Sequence, residues 1–224
     1  MVLACRVFQP ELASLEVSED RVRYLDQGLH RYPDQLRLEL ADALAELERD
    51  PAVDRVILAY GFCGGGMQGL TSSRVNLVLP LAHDCVPLLL GSAQANPCVG
   101  CGGTFYLTPG WIDHGQTPYS EYFVTRDKFG DEDALWVGEQ MLAGYDRVIL
   151  VDTGAGLLPR HRRYARDMAT LFDLAYREQR GHRDWLRRLL AGRPDSGLTV
   201  LPPGKAVDFS LYPQTEVSSP EKRE

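Results

Sequence analysis

The fold class is decided by residues 55–66, RVILAYGFCGGG. A short run of β-branched and apolar residues leads directly into a glycine-rich turn, which is typical of a buried strand in a parallel sheet. A similar stretch, DRVILVDTGAG, occupies residues 146–156. The repeat indicates either two similar βα halves or two buried strands that are alike in composition only.

Further apolar segments alternate with helical patterns along the chain. Strands are predicted over residues 2–8, 76–80, 103–107 and 198–201, and helices over 34–49, 132–143, 160–178 and 182–191, with a further helix beginning near Asp84. Residues 112–131 are polar and irregular, which predicts a long loop or lid. The alternation predicts an α/β protein with a mainly parallel sheet flanked by helices.

The pattern predicts one α/β domain over residues 1–212 and a flexible polar tail over residues 213–224. A division of the domain into two half-domains, about 1–110 and 111–212, is left open by the repeat. In either arrangement, the carboxyl ends of the parallel strands form one edge of the sheet, where ligands bind in open α/β folds. We therefore expect the functional site at that edge.

Composition sets the class of protein. The chain has 224 residues, 44% of them hydrophobic, and a formal charge of −7, which predicts a packed soluble protein and argues against nucleic acid as a partner. The first residues are too short an apolar run for a signal peptide, and we find no apolar stretch of about 18 residues. We therefore expect a cytoplasmic protein with no membrane partner.

The positions of the cysteines in the sequence indicate a functional site. In a reducing compartment, clustered cysteines indicate metal binding or reactivity rather than disulfides. Cys5 lies in or just after the first strand, Cys63 follows the strand that ends at Tyr60, and His83 and Cys85 follow the next strand. Thiolate and imidazole ligands suit zinc, iron or an iron–sulfur cluster. A buried hydrophobic role is the alternative, above all for Cys5.

Cys98 and Cys101 form a separate pair in the loop before residue 103. Such a pair is redox-active, metal-binding or incidental, and the sequence alone leaves these three alternatives open. We treat both as possible extra ligands.

Other residues at the predicted edge are candidates for contact with a ligand. The glycine turn lacks the lysine of a phosphate-binding loop, so its glycines are expected to let the backbone approach a ligand closely. Ordinary turn chemistry is the alternative for residues 152–153, and a core position is the alternative for Trp111. The candidates are Gly61, Gly64, Gly65, Asp84, Trp111, Asp152 and Thr153.

Residues 160–193 contain ten arginines and four acidic residues. Two interpretations are open for this basic segment. The arginines either form pairs with acids on helix surfaces or bind an anionic partner.

Several segments together resemble the family named domain of unknown function 1638. They are Ala4-Cys5, Leu29-His30, residues 60–64 (YGFCG), 82–85 (AHDC), 90–92 (LGS) and 103–111 (GTFYLTPGW), and the likeness continues through residues 152–154 to 203–204. The resemblance implies that Cys5, His30, Cys63, His83 and Cys85 belong to one site. It also implies a setting near corrinoid-dependent methyl transfer. Cys98 and Cys101 are outside the family pattern.

The first functional hypothesis is a metal-centred protein. It would hold zinc, iron or an iron–sulfur cluster and, if it is an enzyme, act as a metal-dependent alkyl (methyl) transferase on a small molecule or a methyl carrier, with a corrinoid protein as a partner. One alternative is a corrinoid or tetrapyrrole binding or assembly protein. Another is an enzyme in which His83 activates Cys63 or Cys85 as a nucleophile.

Overall fold

The computed structural model describes residues 1–91 and 103–213, which form two mainly parallel sheets flanked by helices. The strands are β1 (Val2–Cys5), β2 (Val22–Leu25), β3 (Arg55–Ala59), β4 (Asn76–Pro80), β5 (Gly103–Leu107), β6 (Tyr145–Asp152), β7 (Ala175–Arg180) and β8 (Leu198–Leu201). The prediction of an α/β fold with a mainly parallel sheet is confirmed.

The first sheet has the order β2-β1-β3-β4-β8. Strands β1 to β4 are parallel, so their carboxyl ends lie at one edge, while β8 runs antiparallel to β4. Strands β3 and β4 are buried along almost their whole length, as continuous apolar runs in a parallel sheet should be.

The second sheet has the order β5-β6-β7, with all strands parallel. The two similar sequence stretches form β3 and β6, and each lies between two neighbours in its own sheet. Strand β7 is exposed on most of its residues and closes one side of its sheet. Each sheet therefore has its own carboxyl edge.

The helices differ from the prediction in the middle of the chain. They are α1 (Gln9–Ser14), α2 (Pro33–Glu48), α3 (Val86–Leu90), α4 (Pro109–His114), α5 (Pro118–Phe129), α6 (Asp131–Met141), α7 (Pro159–Leu171) and α8 (Asp184–Ala191). The predicted loop over residues 112–131 is wrong, because α4 and α5 occupy most of it. Each begins with a proline in its first turn, behind a threonine whose side chain caps the helix.

Two further boundaries differ from the prediction, and one strand is new. The first strand ends at Cys5 rather than residue 8, and residues 6–8 form a 3-10 turn. The predicted helix over residues 160–178 ends at Leu171, and β7 follows it. Strand β2 was not predicted. No helix in the described part of the chain has the length and apolar character needed to cross a bilayer.

Candidate metal centre

Cys5 is brought to the carboxyl edge of the first sheet by β1. It is the last residue of that strand, pairs with Leu25 of β2 and is 6% exposed. A 3-10 turn follows it immediately and turns the chain away from the sheet. The thiol therefore lies at the end of a strand that has a neighbour on each side.

Cys63 and Cys85 are brought together by the loops that follow β3 and β4. The Phe62 amide donates to the Ala82 carbonyl (2.8 Å), and the Cys63 amide donates to the His83 carbonyl (2.9 Å). These bonds hold the two loops side by side beyond the ends of the strands. Residue 63 is thereby paired with residue 83, and Cys85, two residues further on, comes to lie beside Cys63.

Gly61 makes this close approach possible. A Cβ atom at this position would lie 2.3 Å from the Asp84 carbonyl carbon and 2.4 Å from its Cα. These are backbone atoms, so they cannot move aside as a side chain could. Only glycine lets the two loops pack at this distance.

The backbone at Cys63 has an uncommon conformation. Cys63 has a φ of 49°, in the left-handed region, and Gly64 follows with a φ of 63°. A left-handed cysteine costs free energy that the surrounding structure has to offset, and such residues cluster at functional sites. The conformation directs the chain into a short turn, Cys63–Gly65, beside α2.

The sulfur atoms of Cys63 and Cys85 are 4.0 Å apart. This distance is about twice the length of a disulfide bond, so the two cysteines are not bonded to each other. In tetrahedral zinc sites the Zn–S bonds are about 2.3 Å, which places two thiolate ligands about 3.8 Å apart. The observed separation is close to that of two ligands of one ion.

A cavity of about 250 Å³ joins these thiols to Cys5. Its wall is formed by residues of β1, α2 and α4 and of the loops after β2, β3 and β4. The lining residues are Cys5, Val7, Asp26, Gln27, His30, Leu36, Tyr60, Cys63, Gly64, Asp84, Cys85 and Trp111. Three free thiols therefore face one small enclosed space.

The surroundings keep two of these thiols protonated. Burial, and then the nearby Cys85, raise the pKa of Cys5. The hydrogen bond with Cys85, followed by burial, raises the pKa of Cys63 well above its ordinary value. A nearby cation would reverse this effect, since a bound metal ion displaces the proton of a coordinating thiol.

His30 lies at the mouth of the cavity. Its Nδ1 atom is 2.6 Å from the Gln27 carbonyl oxygen, to which it can donate, and its ring meets the Trp111 ring edge-on at 6.0 Å. Partial burial lowers the pKa of His30, which favours the neutral imidazole. With Nδ1 bound to the backbone, Nε2 carries the lone pair that a metal ion would use, and the ion would have to displace the Gln27 side-chain amide, whose nitrogen lies 3.3 Å from Nε2.

His83 lies away from the cavity, although it precedes Cys85 by only two residues. Its Nε2 atom is 2.7 Å from the Pro213 carbonyl oxygen, and its ring packs beside Phe209 and Tyr212. It is not among the residues that line the thiol cavity. The structure therefore brings Cys5, His30, Cys63 and Cys85 together and leaves His83 on the other side of its loop.

The remaining predicted residues fall into three groups. Gly64, Asp84 and Trp111 line the thiol cavity, and burial raises the pKa of Asp84. Gly61 and Gly65 are not lining residues. The others lie elsewhere: Asp152 and Thr153 line a second cavity, and Cys98 and Cys101 are outside the described residues.

No group of three or more His, Cys, Asp or Glu side chains within residues 1–91 and 103–213 is arranged to hold a metal ion. The thiols thus share a cavity without forming a closed cage. Metal sites often form only as the ion binds, because ligand deprotonation and ligand movement accompany binding.

Five residues of this cavity were not predicted from the sequence: the apolar Val7 and Leu36, and the polar Asp26, Gln27 and Tyr60. Tyr60 is 1% exposed, and its hydroxyl has no hydrogen-bond partner among the described residues. Its position at the end of an apolar strand, directly before Gly61, was the signal that could have found it. Asp26 and Gln27 precede His30 in a turn whose position depends on β2, which was also missed.

The fold and the cavity define an α/β protein with a thiol-lined pocket at the carboxyl edge of a parallel sheet. Residues 24–190 match the family described as "Protein of unknown function (DUF1638)", and the chain belongs to that family. No curated protein and no solved structure matches the chain.

Proposed function

We propose that this protein is metal-centred and holds a zinc or iron ion through Cys63, Cys85 and Cys5. The observation that carries the proposal is the 4.0 Å separation of the Cys63 and Cys85 sulfur atoms in a cavity that Cys5 also lines. Thiolates are the preferred ligands of such ions.

The sulfur separation fits two ligands of one metal atom and argues against a four-iron cluster. The thiolates of a four-iron cluster bind different iron atoms, so their sulfur atoms lie farther apart than two ligands of the same ion. A distance of 4.0 Å is close to the about 3.8 Å of the tetrahedral geometry.

Cys5 is the third ligand in this proposal, and His30 is the candidate for a fourth. Both line the cavity, and each comes from a different element of the first sheet or its loops. Side-chain movement toward the Cys63–Cys85 pair would complete the site as the ion binds. If His30 stays at the mouth, one position remains open for a substrate.

The size of the cavity indicates the substrate class. Pockets for drug-sized ligands have volumes of about 300–1,000 Å³, and this one is about 250 Å³. A thiolate-bound zinc ion with an open position lowers the pKa of a small thiol that binds there, which prepares the sulfur to accept an alkyl group. We therefore propose transfer of a methyl group from a methylated corrinoid to a small thiol: the thiol loses its proton to solvent, its sulfur bonds to the methyl carbon as the cobalt–carbon bond breaks, and the corrinoid, which stays outside the cavity, keeps that electron pair.

The alternatives receive less support from the geometry. The raised pKa values of Cys5 and Cys63 keep these thiols neutral, whereas a cysteine nucleophile needs a lowered pKa. His83, the predicted activating base, faces Pro213 instead. A corrinoid or tetrapyrrole ring would exceed the cavity, so such a ring could bind only at its mouth.

Metal content tests the proposal. The protein is purified without oxygen and compared with Cys5→Ser, Cys63→Ser and Cys85→Ser, with the double variant Cys98→Ser/Cys101→Ser as the matched control. We expect about one zinc or iron per chain in the wild type and in the control, loss of metal in Cys63→Ser and Cys85→Ser, and weaker binding in Cys5→Ser, which keeps two of the three thiolates and can still be loaded with excess zinc. A metal-free wild type that stays metal-free after reconstitution would contradict the proposal.

Activity is tested separately. Metal-loaded protein is incubated with a methylated corrinoid and a small thiol, and the methylated thiol is measured. We expect product with the wild type and none above background with Cys85→Ser. Metal binding without any methyl transfer would reject the proposed reaction while leaving the metal centre in place.

A further inference from the structure

A second cavity, larger than the thiol pocket, lies at the carboxyl edge of the second sheet. Its volume is about 600 Å³, within the range of pockets for small organic ligands. It lies where β6 and β7 end, and Asp152 and Arg180, the last residues of these strands, are paired in register. Its lining residues are Asp152, Thr153, Gly154, Glu178, Gln179, Arg180, Gly181, His182, Arg183, Asp184 and Arg187.

The wall of this cavity carries three arginines and three acids, and Asp152 is the one lining acid that forms no ion pair with a described residue. Glu178 is paired with Arg162 (3.0 Å) outside the cavity, and Asp184 is paired with Arg187 (2.7 Å). Arg180 and Arg183 remain, and neither forms an ion pair with a described residue. Guanidinium groups in this arrangement are typical of sites for phosphate and carboxylate.

Arg183 is held in place, whereas the Arg180 side chain makes no polar contact with a described residue. The Nη1 atom of Arg183 donates to the Ser14 hydroxyl at 2.8 Å, and its guanidinium lies against the turn at Gly154. The Gly181 amide donates to the Asp152 carbonyl at 2.8 Å, which fixes the backbone between the two arginines. One arginine is therefore pre-positioned, and the other can close on a ligand.

The start of α8 adds to the positive character of the wall. The helix begins directly after Arg183, and no side chain caps its first amides. The amides at the beginning of a helix favour an anion. Asp152 supplies a hydrogen-bond acceptor on the same wall. Its carboxylate accepts a hydrogen bond from the Gly154 amide and can accept another from a ligand hydroxyl.

We propose that this cavity binds a phosphate monoester that also carries hydroxyl groups, with the phosphate at Arg180 and Arg183 and a hydroxyl at Asp152. From the sequence alone, the basic segment (residues 160–193) has two interpretations: its arginines form surface ion pairs, or they bind an anionic partner. Ion pairs are formed by Arg160, Arg162, Arg166, Arg187 and Arg188, and of the arginines of this segment that form no ion pair with a described residue, Arg180 and Arg183 line the cavity. This inference does not depend on the metal centre.

Calorimetric titration of the full chain with ribose 5-phosphate at low ionic strength tests it. We expect saturable binding of ribose 5-phosphate, weaker binding of inorganic phosphate, and no binding of ribose. Arg180→Gln should weaken the binding at least about tenfold, because a charge-assisted contact to phosphate is lost. Arg163→Gln, which removes the same charge from an exposed arginine of α7 outside the cavity, should leave the affinity within about twofold.

Three results would overturn the proposal. One is the absence of saturable binding up to about 10 mM ribose 5-phosphate, the millimolar limit of weak binding. Another is an equal loss of affinity in Arg180→Gln and Arg163→Gln, which would indicate general charge attraction. The third is loss of binding in Cys63→Ser, which would place the ligand in the thiol cavity. Because the Arg180 side chain makes no polar contact with a described residue, Arg180→Gln is expected to unfold at the wild-type temperature.

Discussion

Among the individual residues, Tyr60 is unusual because its buried hydroxyl group lacks a described hydrogen-bond partner. It is buried beside three thiols and Asp26, yet no described residue bonds to it. Burial, and then the negative charge that Cys5 and the other thiols would carry, raise its pKa well above the ordinary value, so it stays protonated. A buried donor without a partner reduces stability, and it is tolerated where it serves a ligand.

Replacement of Tyr60 by Phe tests whether this hydroxyl has a structural role. We expect the free energy of unfolding of the metal-free protein to stay the same or rise by up to about 1 kcal/mol, since an unsatisfied polar group is removed. Urea unfolding measures this change. A loss of more than about 2 kcal/mol would indicate that the hydroxyl supports the fold.

Glu11 is a second buried polar residue, and it lies between the two sheets. Its Oε1 atom accepts a hydrogen bond from the Thr153 hydroxyl at 2.7 Å, while Oε2 has no partner among the described residues. Burial raises its pKa from 4.5 to about 7, although the Thr153 hydroxyl and the charge of Arg183 act in the opposite direction.

Stability should therefore fall as the pH rises from about 4.5 to about 7. In this range the folded protein keeps the Glu11 proton that the unfolded chain has lost, and the cost reaches about 3 kcal/mol above pH 7. Glu11→Gln should remove this cost and flatten the profile, because the amide can still accept from Thr153. Urea unfolding of both proteins between pH 5 and pH 8 checks this, and parallel profiles would disprove it.

The positions of the three cysteines of the site could be predicted from the sequence, but the orientation of His83 could not. Cys5, Cys63 and Cys85 follow buried apolar strands, so a parallel topology is enough to predict that they lie at one edge. The orientation of His83 was not predictable, because it depends on Phe209 and Tyr212, which are far away in the sequence. Side-chain direction within a turn is set by such distant contacts and not by local spacing.

At the element scale, the paired loops after β3 and β4 determine the site. Backbone hydrogen bonds from residues 62 and 63 to residues 82 and 83 extend the sheet contact beyond the strands. Gly61 is the position where these loops are closest. A change in their separation would also change the distance between the Cys63 and Cys85 sulfur atoms.

Gly61→Ala tests the importance of that separation. The new methyl group would overlap the Asp84 backbone, so we expect a loss of about 3 kcal/mol or more in stability together with weaker metal binding. Gly197→Ala is the matched control, because its nearest contact is the Trp185 ring at 3.3 Å rather than backbone. Thermal unfolding compares the two, and similar melting temperatures for both variants would argue against the close packing.

Buried strands were predicted correctly from the sequence, whereas exposed or polar elements were missed. Strands β3, β4, β5 and β6 have strong apolar or β-branched patterns and were predicted from them. Strand β7 was missed because five of its six residues are exposed and four are polar or charged, so it lacks an apolar signal. Helices α4 and α5 were missed because their sequence is polar, although Pro109 and Pro118 mark first turns as readily as they mark loops.

At the scale of the whole molecule, the last part of the chain completes the first sheet. Strand β8 pairs with β4 along residues 198–201, and Val207 and Tyr212 belong to the same core. The sheet is therefore assembled from segments at both ends of the sequence, with the second sheet between them. Such long-range pairing cannot be read from local periodicity.

A chain that ends at Arg193 tests this arrangement. It lacks β8, Val207 and Tyr212, so one side of β4 and part of the core would be exposed. We expect this chain to lose cooperative unfolding in a calorimetric scan. A chain that ends at Pro213 keeps all of these contacts and serves as the control; cooperative unfolding of both chains at the same temperature would contradict the expectation.

The central claim is that three cysteine sulfur atoms from separate strand ends bind one ion. X-ray absorption at the metal edge of the zinc-loaded protein measures this directly. We expect three sulfur neighbours at about 2.3 Å in the wild type and two in Cys5→Ser. A wild-type spectrum with only nitrogen and oxygen neighbours, or one that Cys5→Ser leaves unchanged, would contradict it.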